Sequence, residues 1–242
     1  EQRKYSEIKK LFGLHPEDIA EIITSLKESA HKLLVFRLVP SDKAIDVFEY
    51  LSTEEEEEIL KTLSSQEIKE ILNYMSPDDR TELFEEMPAE LVRKFINLLS
   101  PQERAIAKEI LNYPEDSVGR LITPDFVQLF ESMSVSKALD HIRSVGIQKE
   151  TVYHCYVLDQ EKKLIGIVSL KNLVLSPPTA IISEIMFKDV IKATANTDKE
   201  DAANIFKRYD LLVLPVVNAN NKLLGIVTFD DLVDVLEEET TE

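Results

Sequence analysis

The hydrophobic positions of this chain keep two different rhythms. Up to about residue 114 they recur at helical spacing inside a repeat of twelve residues. Pro40, Ser52, Ser64, Ser76, Pro88 and Ser100 stand twelve apart, each after an apolar residue (Val39, Leu51, Leu63, Met75, Met87, Leu99), and Pro16 continues the count two periods back. After each marker apolar residues tend to fall at +4, +7, +8 and +11: Ile68, Ile71, Leu72 and Met75 after Ser64, and Val92, Phe95, Ile96 and Leu99 after Pro88. That spacing is one apolar stripe on a helix. The Ser100 repeat drifts by one position, as an end repeat does. The markers read as helix starts. Ser64 with Glu67 and Ser100 with Glu103 have capping-box spacing, and Pro77 and Pro101 suit the first helical position. Each repeat holds a helix of roughly two turns plus its cap, too short to stand alone. Stacking the stripes predicts an all-α superhelix over residues 1–114.

Beyond the boundary stretch YPEDSVGRL (113–121), where Pro114 stops a helix and Gly119 permits a turn, the rhythm changes. Val152–Val174 and Leu211–Val233 align at a constant offset of 59, with Leu164/Leu223, Gly166/Gly225, Ile167/Ile226, Val168/Val227, Ser169/Thr228 and Leu173/Leu232 matching. Each copy reads as a lead-in strand (Phe126–Phe130; Asp189–Thr194), a helix (Ser134–Val145; Thr197–Tyr209), a β-hairpin and a closing helix, with a loop insertion near Gly146–Lys149 in the first copy. The second hairpin joins Leu211–Val217 to Leu223–Val227 through the polar turn Asn218–Asn221. Two tandem copies predict two equivalent half-domains packed together. The expected organisation is a helical repeat domain over 1–114, a linker at 115–120, and half-domains at 121–180 and 181–242, the second including the start of a further helix.

Composition narrows the function. Hydrophobic residues at 44% and charged residues at 30% describe a globular protein, and no run of about twenty apolar residues is present to span a bilayer. A first residue other than Met fits a piece of a longer protein. A lone Cys155 rules out a disulfide framework within one chain and fits a reducing compartment. The net charge is −17, spread evenly: residues 1–114 carry 15 basic against 24 acidic residues, the remainder 13 against 21. Both parts repel polyanions, which argues against nucleic acid or anionic lipid as partners and leaves cations as the natural counterpart. The run Glu54–Glu58 reads first as a solvated helix start, where the helix dipole favours acids. Asp78, Asp79 and Glu82 cluster at the start of one repeat. Asp231 and Asp234 share a face of the last helix, and Asp210 sits between a helix and a strand. Catalysis has little support: His15, His31, His141 and His154 are scattered, no nucleophile or phosphate-loop motif occurs, and His154 and Cys155, adjacent in a strand, point to opposite faces.

The 59-residue repeat, carried by LPVVNANNKLLGIVTFDDLV at 214–233 and its partner at 155–174, resembles a tandem pair of CBS domains. With the twelve-residue helical repeat before it, the junction LITPDFV at 121–127 and the acidic last helix, nearly the whole chain resembles the cytosolic region of MgtE-type magnesium transporters. The resemblance implies a segment on the cytoplasmic side of a membrane, followed by a transmembrane domain of the same full-length chain. It also implies a homodimer through the CBS domains, no enzymatic activity, and gating by Mg²⁺ held between helical and CBS domains. It places cation ligands at Asp46, Asp78, Glu82, Glu200, Asp210, Asp231 and Asp234, with a carbonyl near Gly119–Arg120. Asp79 joins them as part of the Asp78 cluster, and Glu239 and Glu242, three apart where the connecting helix would start, are spaced to supply ligands there. Glu82 stands where the family pattern has Asp, Asp46 where it has Glu, and Arg120 where it has a second Gly.

A second reading comes from the CBS pair itself. Such pairs often bind ATP or AMP, with a Thr/Ser-x-x-Asp motif on the ribose hydroxyls. Thr228–Asp231 fits that motif, whereas Ser169–Asn172 has Asn in place of Asp, so at most one site keeps the ribose signature. Asp231 cannot readily serve a ribose and a metal at once. A third possibility is a helical interaction domain that the CBS pair merely dimerises.

Overall fold

The computed structural model describes residues 13–40 and 43–233. It divides into two compact units, one ending at Lys108 and the other beginning at Glu109.

In the first unit the repeat becomes a run of short helices: α1 (Pro16–Thr24), α2 (Ser29–Leu38), α3 (Ala44–Glu49), α4 (Thr53–Thr62), α5 (Ser65–Tyr74), α6 (Pro77–Glu86), α7 (Ala89–Ile96) and α8 (Pro101–Ile110). The stripe positions form the core. Val47, Phe48, Ile59, Leu60, Ile71, Leu72, Leu83, Phe84 and Phe95, all at +7 or +8, are buried. Helices pack on the next but one, α1 on α3, α2 on α4, α4 on α6 and α5 on α7, so the repeats stack in two columns. Ser64 and Glu67 form the full capping box at α5. At α8 only half of it is present. Glu103 N donates to Ser100 Oγ, but the Glu103 carboxylate is drawn off to Arg80 at 2.8 Å, because a guanidinium is a stronger partner than a backbone amide.

The second unit contains two matching halves. In the first, β1 (Val127–Phe130), α9 (Val135–Val145), β2 (His154–Leu158), β3 (Leu164–Ser169) and α10 (Leu170–Leu175) follow in order. In the second, after the single turn α11 (Ile182–Ile185), come β4 (Ala193–Thr194), α12 (Lys199–Tyr209), β5 (Val213–Val217), β6 (Leu223–Thr228) and a helix described over 229–233. Each sheet pairs its first strand parallel to the second and its second antiparallel to the third, with a register shift at Val157/Leu158 and at the equivalent Val216/Val217. The inserted residues form a 3₁₀ turn, Gly146–Gln148. The lead-in strand expected over Asp189–Thr194 shortens to two residues, because the backbone at 188–190 turns on itself (Val190 N to Lys188 O, 3.0 Å). The halves share a core, in which Tyr156, Leu158 and Leu164 of one meet Val217, Leu223 and Ile226 of the other. Among the described residues no helix is long and apolar enough to cross a membrane.

Candidate cation and nucleotide sites

Helix α6 concentrates the acids of the first unit. Ser76 caps it and Pro77 fills its first position, so Asp78 and Asp79 fall in the first turn, where the exposed N–H groups favour negative charge. Asp79 N donates to Ser76 Oγ at 3.3 Å, and the Ser76 hydroxyl donates back to the Asp79 carboxylate at 2.5 Å. This carboxylate is therefore a capping group as well as a candidate ligand. Asp78 is buried; Glu82, one turn on, is exposed and shares its face. Asp46 lies apart from this group. It is exposed on α3 and lines a separate cavity of about 730 Å³ with Phe36, Arg37, Glu67, Glu70 and Tyr74.

Two residues here escape a reading by sequence alone. Glu55 and Glu56, from the run expected to be solvated, are buried. Glu55 is held by Lys32 at 2.5 Å and Thr24 at 2.8 Å. Glu56 is 5% exposed, and among the described residues no hydrogen bond reaches its carboxyl. Burial, and then the charges of Asp79, Glu82 and Glu49, push that carboxyl up to about 9. Glu49 approaches from α3 and accepts from Ser76 N at 3.0 Å. Asp79 and Glu82 of α6 thus belong to a four-carboxylate neighbourhood with Glu49 and Glu56, on three helices. The sequence does carry a signal: Glu56 is the +4 residue after Ser52, a stripe position, and helical stripes face inward whatever occupies them.

In the second unit the candidates are spread along α12 and the last helix. Glu200 lies in the first turn of α12, whose cap Asp198 accepts from Glu200 N at 2.9 Å. Asp210 ends the same helix in the left-handed conformation (φ 51°). Ten residues of helix keep these two acids about 15 Å apart, so they do not converge. Asp231 is half-buried, and its Oδ2 accepts from Thr228 N at 3.0 Å and from Thr228 Oγ1 at 2.5 Å. In the first half Ser169 Oγ caps α10 through Asn172 N at 3.1 Å. The motif read as ribose-binding is thus also a helix cap. Gly119 and Arg120 lie in a 3₁₀ turn, Val118–Leu121. Asp234, Glu239 and Glu242 lie outside the described residues. Cys155 is buried, its thiol pushed up to about 12 by burial, and His154 beside it is half-buried.

Carboxylate oxygens suit Mg²⁺, which keeps several waters and is satisfied by one or two carboxylates at a time. Among the described residues no three His, Cys, Asp or Glu side chains are already gathered as a metal cage. The donor chemistry of each unit fits Mg²⁺, and among the described residues neither unit contains a ready-made cage of its own.

Two sheets related by a tandem repeat, behind a run of short stacked helices, define a helical-repeat domain joined to a CBS pair. The model of the MgtE intracellular N domain matches residues 14–116, and that of the CBS domain matches 118–176 and 182–238. The chain is 38% identical over 232 residues to the magnesium transporter MgtE of Thermus thermophilus, covering 95% of this chain and 51% of that one. It is 38% identical over 133 residues to MgtE of Bacillus subtilis, covering 55% and 30%. A crystal structure of the cytosolic domain of the Mg²⁺ channel MgtE in complex with ATP superposes with a TM-score of 0.89 at 35% identity, over 97% of this chain and 98% of that one. The soluble part of a magnesium transporter gives 0.90 at 27% identity, over 98% and 94%. The chain belongs to the MgtE family and corresponds to its cytosolic region. It spans about half the length of the Thermus relative. Inosine-5′-monophosphate dehydrogenase of Aquifex aeolicus matches only over 131 residues, a quarter of that enzyme, through the CBS domains.

Proposed function

We propose that this chain is the Mg²⁺-sensing region of a magnesium transporter on the cytoplasmic side of the membrane. In low Mg²⁺ the acids of the helical domain and of the CBS pair repel. In high Mg²⁺ the ion is shared by Asp78, Asp79 and Glu82 with Asp231 and Asp234, with Asp46, Glu200, Asp210, Glu239 and Glu242 as outlying ligands. The homodimer, joined through its CBS domains, then compacts and closes the attached pore. The effect requires tighter Mg²⁺ binding in the closed arrangement than in the open one. The observation that carries this reading is the crowding of Asp79 and Glu82 beside Glu49 around the buried Glu56, a concentration of acids whose mutual repulsion a divalent cation relieves. Calorimetric titration with Mg²⁺ tests it. Asp78→Asn and Asp231→Asn should each weaken binding about tenfold or more, the loss of one charged ligand being about 1.4 kcal/mol or more. Unchanged isotherms in both variants would overturn the assignment of these residues.

The Thr228–Asp231 pair favours a second reading, adenine-nucleotide binding at the second half, and the relative crystallised with ATP supports it. The same titration with ATP in place of Mg²⁺ separates the two. Saturable heat that Asp231→Asn removes identifies a nucleotide site.

A further inference from the structure

Residues 113–123 join the last repeat helix to β1, and most of their backbone is already committed. Lys199 N donates to Asp116 O at 3.0 Å, Val118 N to Thr197 O at 2.8 Å, and Gly119 N to Ala195 O at 2.9 Å. Thr123 and Ile226 exchange both of their backbone bonds at 2.9 Å. Ser117, Val118, Ile122 and Thr123 are buried, and Arg120 Nε fastens the turn to Tyr113 O at 2.6 Å. A side chain at Gly119 would meet the Tyr113 ring at 2.6 Å and the Ala195 carbonyl at 2.7 Å; one at Gly225 would meet the Thr123 carbonyl at 2.6 Å.

All of those interdomain partners, from Ala195 to Ile226, lie in the second half, although the segment leads into the first. A matching arm, 64 residues on, does the reverse. Val135 N donates to Ala180 O, Ile182 N to Met133 O, and Ile167 and Phe187 exchange both bonds, so residues 180–187 clasp the first half. The bridges Ser117↔Asp198 and Ser134↔Ile181 keep the same spacing. The halves therefore hold each other by exchanged arms. Only the earlier arm is continuous with the helical repeats, and its anchors adjoin the second half's acids. Lys199 precedes Glu200, and β6, which Thr123 holds, runs straight into the helix of Asp231.

We propose that residues 113–123 are a coupling strap, which delivers movement of the last repeat helix to the second CBS half and its terminal helix and bypasses the first half. This goes beyond the cation reading and holds whichever ligand drives the movement. Buried, mutually bonded backbone transmits displacement because its groups have no solvent alternative at comparable free energy.

Hydrogen exchange of the whole chain, read by mass spectrometry, tests it. Gly119→Val should unseat the strap, so that amides in 193–199 and 223–228 exchange about tenfold faster or more while those in 127–175 keep native rates. Equal loss in both halves, or loss in neither, overturns the proposal. A second pair of variants decides the matter even where Gly119→Val does not fold. Arg104→Ala loosens the last repeat helix, whose Arg104 Nε and Nη2 hold the carbonyls of Ile96, Asn97 and Leu99. Its effect should spread to 193–199 and 223–228 and spare 127–175. A Gly-Ser-Gly-Ser insertion between Asn112 and Tyr113, which leaves the bonds of the strap to the second half in place, should stop that spread. Spread into the first half, or spread that survives the insertion, overturns the strap.

Discussion

Glu56 is the residue at which this structure departs furthest from ordinary surface chemistry. A carboxyl at 5% exposure, with acids for neighbours and no hydrogen bond among the described residues, is held neutral near pH 7. Its folded pKa of about 9 stands above its unfolded value near 4.5, so the folded state retains a proton that the unfolded state gives up. The associated stability is whole below about pH 4.5 and is lost as pH rises towards 9, at up to roughly 1.4 kcal/mol per pH unit. Glu56→Gln, which keeps the shape and removes the titration, should therefore melt above the native chain at pH 8–9 in metal-free buffer, with the gap closing towards pH 5. A gap independent of pH would mean that Glu56 is already ionised and stabilised in the fold. The residue also marks a boundary of what one sequence reveals. Five consecutive acids outweigh a single stripe position when charge is read along the chain, and only the packing of α4 on α6 shows that the stripe wins. Asp78, Asp79 and Glu82 were legible as a cluster because a helix start brings them together locally. The separation of Asp46 from them was not, since it depends on which helices stack.

At the scale of elements, the twelve-residue period conceals one of twenty-four. Helices stack on the next but one, so alternate repeats build one column. The column of α2, α4, α6 and α8 has Lys32, Glu56, Arg80 and Arg104 at +4, whereas the other column has Ala20, Ala44, Ile68 and Val92. Two of these cations act alike. Arg80 Nη1 donates to Leu72 O at 2.9 Å and Arg104 Nε to Ile96 O at 3.0 Å, each eight residues back, in the last turn of the preceding helix, whose carbonyls lack the usual i+4 donor. An arginine at +4 thus stitches one column to the other, and Glu56, an acid in the same place, cannot. Arg80 is wholly buried and also holds Glu103, so Arg80→Ala removes a buried cation and strands both a carbonyl and a carboxylate. It should cost about 3–5 kcal/mol, against about 1 kcal/mol for the half-exposed Arg104→Ala. Denaturant melts of the two variants check the ranking, and equal losses would show that burial of the guanidinium does not matter. The period of twelve and the helix caps could be read from apolar positions alone because they are local. The period of twenty-four arises from stacking and shows itself only in which charged residues are admitted to the stripe. In the second unit the 59-residue repeat revealed both halves and their hairpins, but the exchange of arms joins residues at separations from 20 to 103 and leaves no periodic trace.

For the whole molecule the governing quantity is a net charge of −17, divided almost equally between the helical and CBS parts. Monovalent salt weakens such repulsion by screening, over a length of about 10 Å at 0.1 M, without favouring any one geometry. Divalent ions bound by carboxylates of both parts would instead replace repulsion by attraction at particular places. The two cases separate in small-angle scattering at fixed ionic strength. Millimolar Mg²⁺ should reduce the radius of gyration where an equivalent ionic strength of Na⁺ does not, and the double variant Asp78→Asn/Asp231→Asn should lose most of that response. The control matters because removing two negative charges also relieves general repulsion, so the variant should start slightly more compact in the absence of Mg²⁺. It is the Mg²⁺-dependent change, not the starting size, that reports shared ligation. A response to Na⁺ as large as that to Mg²⁺ would reduce the acidic surface to a screened polyanion. A Mg²⁺ response that survives in the double variant would move the site to other acids, with Glu49, Glu56 and Glu82 the next to replace.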